Sequence, residues 1–490
     1  MASSDSIDTI LSQRQSILSN STELYSIKHE LIDYMAAYGI TMISKQYPSL
    51  YTHAPTTLLP TPINKLLFTK LTTLSKIWNK LIHCIANDHE FIIAALQYTV
   101  KVDEFTNKLV GIYQSTLHSK HKQSYSLGVH RSDYMFHMNE SDYTLHAQQV
   151  EINTIASSFG ALSTKVTKLH TYLYQRLYSN KYNWFLPKND TVYNISHVLV
   201  HAHDVYCKQQ AIDTKQIKTC ILFVVQHGET NKTDQRDIEY TIFEHSGIPC
   251  IRHTFDEIYN NASVNDDNGK LQLDGYEIAV TYYRAGYTPR DYTTEHDWSA
   301  LQLIESSITI KCPSTAYHLA GTKKIQQLCT RHDVLSKYLD DSEINLIQSV
   351  QAGMWGFDDI NSLHDVLSDV RSDVHNYVLK PQREGGGNNI WGNEIIHILD
   401  TYSSDELQAY ILMKKINSIP IRTALIRSSE ITLSEVISEL GIYSTYLSNT
   451  DRTDIVVDEF AGHLLRTKTV DSNEGGVAAG FAVIDSPVLV

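Results

Sequence analysis

The chain has 490 residues, 42% of them hydrophobic, and carries 41 basic against 55 acidic side chains for a formal charge of −14. That length buries a large core over two or three packed domains, and the acidic balance argues against nucleic acid as the main partner, because such binders carry a basic face. No apolar run approaches the ~20 residues that span a bilayer, so no membrane segment is expected. Residues 1–5 lack the basic-then-apolar pattern of a signal peptide. The six cysteines are scattered with no C-x-x-C pair, which predicts reduced thiols in the cytosol.

Residues 5–45 carry Ile7, Ile10, Leu11, Leu31, Ile32 and Met35 at helical spacing. An extended break follows at Leu59-Pro60-Thr61-Pro62, and helical patterning returns over 66–117. Residues 1–125 are therefore expected to form a mainly helical scaffold without chemistry. The next unit, 126–217, holds LGVHRSDY at 127–134 and VEINTI at 150–155. On a strand, Glu151 and Asn153 share one face, and a carboxylate with an amide oxygen suits a hard cation. The same alternation also fits any half-buried strand. His197 and His201 have the i, i+4 spacing of a zinc pair, and His203 and Asp204 follow. There is no H-E-x-x-H and no partner cysteine, so a polar helix face is expected instead.

Residues 218–324 switch to an α/β pattern. It comprises a strand at 221–225, a polar loop at 226–235, a helix at 238–244, a strand at 249–252, a hairpin-like excursion at 261–269 and a strand at 277–283. Ligands in such sheets sit beyond the carboxyl ends of strands, which nominates Glu229, Asn231, Gln235, Arg284 and Tyr287. Each taken singly also fits a solvated loop. At 321–324 a small-residue turn, Gly-Thr-Lys-Lys, opens a helix.

The final unit, 325–490, contains the most informative stretch, YVLKPQREGGGNN at 377–389. A short apolar strand reaches Lys380 and breaks into Gly385, Gly386 and Gly387. Consecutive glycines let backbone N–H groups approach a ligand closely, and with Lys380 and Arg383 alongside, that ligand is a polyphosphate. Glu384 would repel phosphate unless a divalent cation lay between them, so the loop reads as a nucleotide–magnesium site. Neither G-x-x-x-x-G-K-[ST] nor G-x-G-x-x-G is present. Strands are expected at 411–413 and 436–443. A second small-residue loop, GGVAAGF at 475–481, follows LLRTK at 464–468.

Taken in order, RSDY (131–134), EINTI (151–155), LAGTKK (319–324), KPQREGGGNN (380–389) and LLRTK with GGVAAG (464–480) resemble eukaryotic-type glutathione synthetase. The resemblance runs from Arg131 to Val490, faintly back to Pro60-Thr61-Pro62, and is not visible before Thr56. It implies an α/β (α+β) chain of ATP-grasp fold, with an N-terminal helical region and an inserted α/β substrate-binding subdomain. It further implies a cytoplasmic homodimer that ligates γ-glutamylcysteine and glycine with ATP and Mg2+. Carried over by motif, Glu151, Asn153 and Glu384 would hold the metal. Lys323, Lys380, Lys468 and the loop from Glu384 through Asn388 and Asn389 would hold ATP, with Trp391 beside it. Met413, Lys414, Lys415, Ile416 and Glu439 would line adenine and ribose. Arg131, Ser158, Glu229, Asn231, Gln235, Arg284, Tyr287 and Arg466 would bind the dipeptide, with Val477 and Ala478 in the closing loop. Arg131, Arg466 and Lys468 would be the catalytic cations.

Three positions depart from the family pattern. Ala156 stands where many members have serine, Trp391 replaces the usual tyrosine, and Lys414 replaces a common glutamate. None is an expected metal ligand or phosphate lysine. The alternative is a non-catalytic or differently specific ATP-grasp homologue that binds nucleotide or thiol peptide, because a site outline can outlast activity.

Overall fold

The computed structural model describes residues 6–139, 144–358, 363–383 and 387–490. Glu384, Gly385 and Gly386 lie outside the described residues. The largest sheet is built on the twenty-residue strand Glu430–Asn449. Its first six residues, up to Glu435, are exposed or half-buried and mostly polar. From Glu439 to Ser448 every residue is buried, as expected of a strand covered on both faces. This exposed start pairs with Ile421–Arg427. The buried half pairs with Ile455–Thr469 on one side and Tyr125–Met138 on the other. Leu145–Asn153 extends one edge, and Ala482–Asp485 the other. The two-residue strand Thr56–Thr57 then joins Ala482–Asp485 back to Ile421–Arg427, closing part of the sheet into a ring.

Two cores cover the two faces of this sheet. Leu440 and Ile442 pack with the helix Lys65–Asn87, while Tyr443 and Leu447 pack with Gly160–Leu177 and Thr191–Gln209. This is the period-2 alternation of a strand. Asn64 caps Lys65–Asn87 by accepting from Leu67 N at 3.0 Å. The helices Ile7–Leu18 and Ser21–Ala37 open the chain. Buried Arg14 in the first of them donates to Pro60 O and, at 2.9 Å, to Thr423 Oγ1.

A second sheet carries the α/β pattern. Cys250–His253, Thr219–Val224, Tyr276–Tyr283 and Ile310–Cys312 run parallel, and Ser263–Val264 with Leu271–Leu273 adds the antiparallel excursion. The stretch expected as a polar loop to Gln235 ends earlier. The helix Lys232–Ser246 begins inside it, because Asp234 and Gln235 turn inward and are fully buried.

The third sheet has four antiparallel strands in the order Met354–Gly356, Tyr410–Lys414, Tyr377–Pro381, Ile390–Trp391. Tyr377, Leu379 and Leu412 face the helices His364–Ser372 and Asn393–Thr401 and form a separate core with them. Val378 and Met413 point the other way, toward Met135 and Val150 of the large sheet. Between the two sheets lies the principal cleft.

Candidate active site

Three lysines reach the cleft from three elements. Lys380 follows Val378 on the cleft face of its strand, and its Nζ donates to Val150 O at 2.9 Å. Lys323 opens the helix Lys323–Leu328 and pairs with Glu151 Oε2 at 2.9 Å. Lys468 lies on Ile455–Thr469, and its Nζ donates to Asn473 O at 2.9 Å. Burial pulls Lys468 below its ordinary value, aided by Arg466 and Lys415 and opposed by Glu439 and Glu474. Burial alone would raise the Glu151 carboxyl, but Lys323, Lys380 and Arg466 outweigh it and hold the group well below the usual range. An anionic ligand would relieve this crowding of positive charge.

Behind the lysines a buried network joins two arginines. Arg131 grips Asp133 with two parallel bonds, Nε to Oδ1 at 2.7 Å and Nη2 to Oδ2 at 2.9 Å. Arg466 Nη2 donates to the same Oδ2 at 2.9 Å and also to Glu439 Oε1. Asn153 Nδ2 donates to Asp133 Oδ2 at 3.0 Å and to Glu151 Oε1 at 3.3 Å. Burial pushes the Glu439 carboxyl up, as do Asp133 and Glu151, against Arg466 and Lys468. Glu439 faces Arg466 across the strand pair, so it sits among the charged groups as well as in the cleft lining.

One wall of the cleft is apolar, formed by Val378, Met413, Ile416 and Trp391. Lys414 N and Lys415 N are tied to Gly353 O and Asn376 O, each at 2.8 Å, which fixes the backbone of this segment. Asn388 and Asn389 line the cleft, as do Val477 and Ala478. Gly387 N donates to Glu474 Oε2 at 2.7 Å, so the two small-residue loops touch. The second loop folds on itself through Gly480 N to Val477 O and Phe481 N to Gly476 O, both at 3.0 Å.

Residues 156–159 form the opposite wall. Ala156 and Phe159 adopt left-handed backbone (φ 51° and 73°), a conformation that side chains disfavour and that its surroundings must enforce. Arg131 Nη1 and Tyr443 Oη both donate to Ser158 O. Arg284 donates to Ser157 O at 2.9 Å and to Ser158 Oγ at 2.7 Å. Asp234 accepts from Phe159 N, Ala161 N and Leu162 N at 2.8–3.0 Å, capping the helix Gly160–Leu177.

Arg131, Ser158, Tyr287 and Arg466 all line the cleft. Glu229, Asn231, Gln235 and Arg284 do not; they stand behind the 156–159 wall. Glu229 accepts from Asn231 N at 2.6 Å and from Gln235 Nε2 at 3.3 Å. Asn231 Oδ1, Arg284 Nε, Arg466 Nε and Trp391 Nε1 are buried without a hydrogen-bond partner among the described residues. Groups left so are costly unless something else supplies the bond. His197 and His201 stack edge-on with ring centroids 4.2 Å apart, and His203 bonds Thr219.

Sequence reasoning missed Asp133, Glu474, Tyr443 and Asp103. Asp103 pairs with Arg383 beside the glycine run, although residues 1–125 showed no chemistry by pattern. Only for Asp133 was there a signal, its position two residues from Arg131 on a strand.

A family model described as eukaryotic glutathione synthase, ATP binding domain, matches residues 21–489. The chain belongs to that family. The match reaches well before Thr56, where the motifs alone carried no resemblance. Glutathione synthetase of Dictyostelium discoideum is 40% identical over 485 residues, covering 95% of this chain and 99% of that protein. The Xenopus laevis protein of the same name is 35% identical over 466 residues, covering 94% and 95%. The chloroplastic glutathione synthetase of Solanum lycopersicum is 38% identical, covering 89% of this chain and 78% of its own length. Among solved structures, a glutathione synthetase-like effector from Globodera pallida in apo form aligns with a TM-score of 0.77. It is 21% identical and covers 97% of this chain and 99% of that one, which shows a shared fold. The fold is of ATP-grasp type.

Proposed function

We propose that this chain is an ATP-dependent ligase that joins γ-glutamylcysteine to glycine, forming glutathione through an acyl phosphate. The observation that carries this reading is the convergence of Lys323, Lys380, Lys468, Arg131 and Arg466 on one cleft, in a chain 40% identical to a protein named glutathione synthetase. A carboxylate is a poor electrophile and must be activated before an amine can attack it. Phosphoryl transfer spreads charge over oxygens that pre-placed cations stabilise. Lys323, Lys380 and Lys468 would hold the phosphates of ATP. Arg131 and Arg466 would stabilise charge at the reacting carboxyl. Ser158 and Arg284, backed by Glu229, Asn231 and Gln235, would orient the dipeptide. An acyl phosphate hydrolyses readily, so water must be excluded, a task that suits the small-residue stretches 387–389 and 475–480.

Glu151 and Asn153, with Glu384 from the glycine run, would hold Mg2+, which supplies charge neutralisation for the phosphates when bound. The residues fit: Asn153 Nδ2 is taken by Asp133 and Glu151, leaving its Oδ1 as a hard oxygen donor beside a carboxylate. We further propose a cytoplasmic homodimer, a compartment that suits six free cysteines. Mass spectrometry of the purified protein with ATP, Mg2+, γ-glutamylcysteine and glycine tests the reaction. Glutathione and ADP are expected in equal amounts, and absence of the tripeptide under saturating substrates overturns the reading.

A further inference from the structure

Asp133 lies on Tyr125–Met138, opposite Glu151 on one side and Gly441 on the other, and is completely buried. It is absent from the cleft lining. Its two oxygens nevertheless accept from Arg131 Nε, Arg131 Nη2, Arg466 Nη2 and Asn153 Nδ2, all within 2.7–3.0 Å. The neighbouring strand has been kept clear for it. A Cβ on Gly441 would stand 2.6 Å from Asp133 Oδ1 and 2.8 Å from Arg131 Cδ.

An ionised carboxylate can only accept hydrogen bonds, so it decides which end of a neighbouring amide faces it. Asn153 meets two such acceptors, Asp133 Oδ2 at 3.0 Å and Glu151 Oε1 at 3.3 Å. Glu151 would turn its oxygens to a cation once one bound, leaving Asp133 as the charged acceptor that holds the amide, with only the longer 3.4 Å bond to Arg131 O beside it. We infer that Asp133 is a positioning residue of the ligase, one that holds Asn153 Oδ1 toward the cleft and tethers Arg131 and Arg466 to a single buried point. It acts without touching substrate. This rests on the ligase reading above, and it goes further by assigning the metal ligand's orientation to a carboxylate behind it.

The test uses the full chain, Mn2+ as the probe cation and a non-hydrolysable ATP analogue, with free Mn2+ read by electron paramagnetic resonance. Asp133→Asn removes the obligate acceptor at constant shape. Its Mn2+ affinity is expected to fall about 10- to 100-fold, the range for residues that orient metal ligands, and kcat to fall with it. Binding of the analogue without metal should stay near the wild-type value, which general loosening of the site would not allow. A carboxylate offers oxygen whichever way it turns. In the background of Asn153→Asp, adding Asp133→Asn should therefore cost little Mn2+ affinity. Wild-type Mn2+ affinity in folded Asp133→Asn, or the same loss in both backgrounds, overturns the proposal. If Asp133→Asn does not fold, Gly441→Ala crowds the same carboxylate, and wild-type Mn2+ affinity there is equally fatal. Failure of both variants to fold would assign Asp133 to stability alone and also overturn it. Failure of the wild type to form glutathione strikes the ligase reading instead, whatever the Mn2+ results.

Discussion

Glu151 concentrates the electrostatics of the cleft in one side chain. It pairs with Lys323, lies within the fields of Lys380 and Arg466, and is held ionised far below the ordinary carboxylate range although it is partly buried. Glu151→Gln should keep the shape and remove the charge. A loss of about 10²–10³-fold in kcat is expected, the scale of deleting one pre-placed electrostatic group, with an unchanged circular dichroism spectrum. Activity within a few-fold of wild type at saturating Mg2+ would remove Glu151 from the site. The EINTI motif made this residue legible, because strand periodicity alone puts Glu151 and Asn153 on one face. Asp133 stood in an equally visible motif yet drew no role. Its partners Arg466 and Asn153 come from two other strands, and no local pattern reports a bond across 333 residues of chain.

Elements were legible where burial imposes a period and obscure where it does not. The segment 436–443 stood out, but the flanking 430–435 belongs to the same strand although only Ile431 and Leu433 are apolar and Leu433 meets solvent. The loop over 475–480 has almost no side-chain volume, and Gly475 leaves only 3.0 Å between a Cβ and Glu439 Oε2. A pocket closed by such a loop should prefer glycine to β-alanine by about 10- to 200-fold in kcat/KM, the worth of one methylene. Competition between equal amounts of the two acceptors, scored by product mass, checks this, and equal incorporation would show that the loop does not select. Ala478→Leu should lower glycine use further by displacing the amine from its line of attack. The first helix depends on Arg14, whose burial pulls the guanidinium down to about 10 against the field of Asp485. Arg14→Ala leaves Pro60 O and Thr423 Oγ1 without their donor. It should cost about 1–3 kcal/mol of stability, read as a lower urea midpoint at constant slope, with kcat unchanged.

Across the molecule, acid sensitivity follows from buried imidazoles, of which His83, His130, His318 and His463 are lowered furthest. Burial lowers His83 and His318 to about 4, and His130 and His463 to about 3. The unfolded chain titrates them near 6.5, so between about pH 6.5 and 4 it binds more protons than the folded one. The stability these neutral side chains contribute is complete above pH 6.5 and is lost as pH falls, by about 1.4 kcal/mol per pH unit for each proton taken up. Urea midpoints at pH 7.5, 6.0 and 5.0 should fall in that order; a flat profile would mean these imidazoles are hydrated. The closed part of the large sheet has a consequence of another kind. Thr56 lies beside Ile484, and Thr61–Ile63 runs parallel with Pro487–Leu489. An early segment thus waits for residues more than 400 positions later, and a ribosome must finish nearly the whole message before that seam can form. Until then Thr61–Ile63 has no strand to pair with, so nascent chains halted before residue 482 should be cut by protease near residues 61–63 while full-length chains resist.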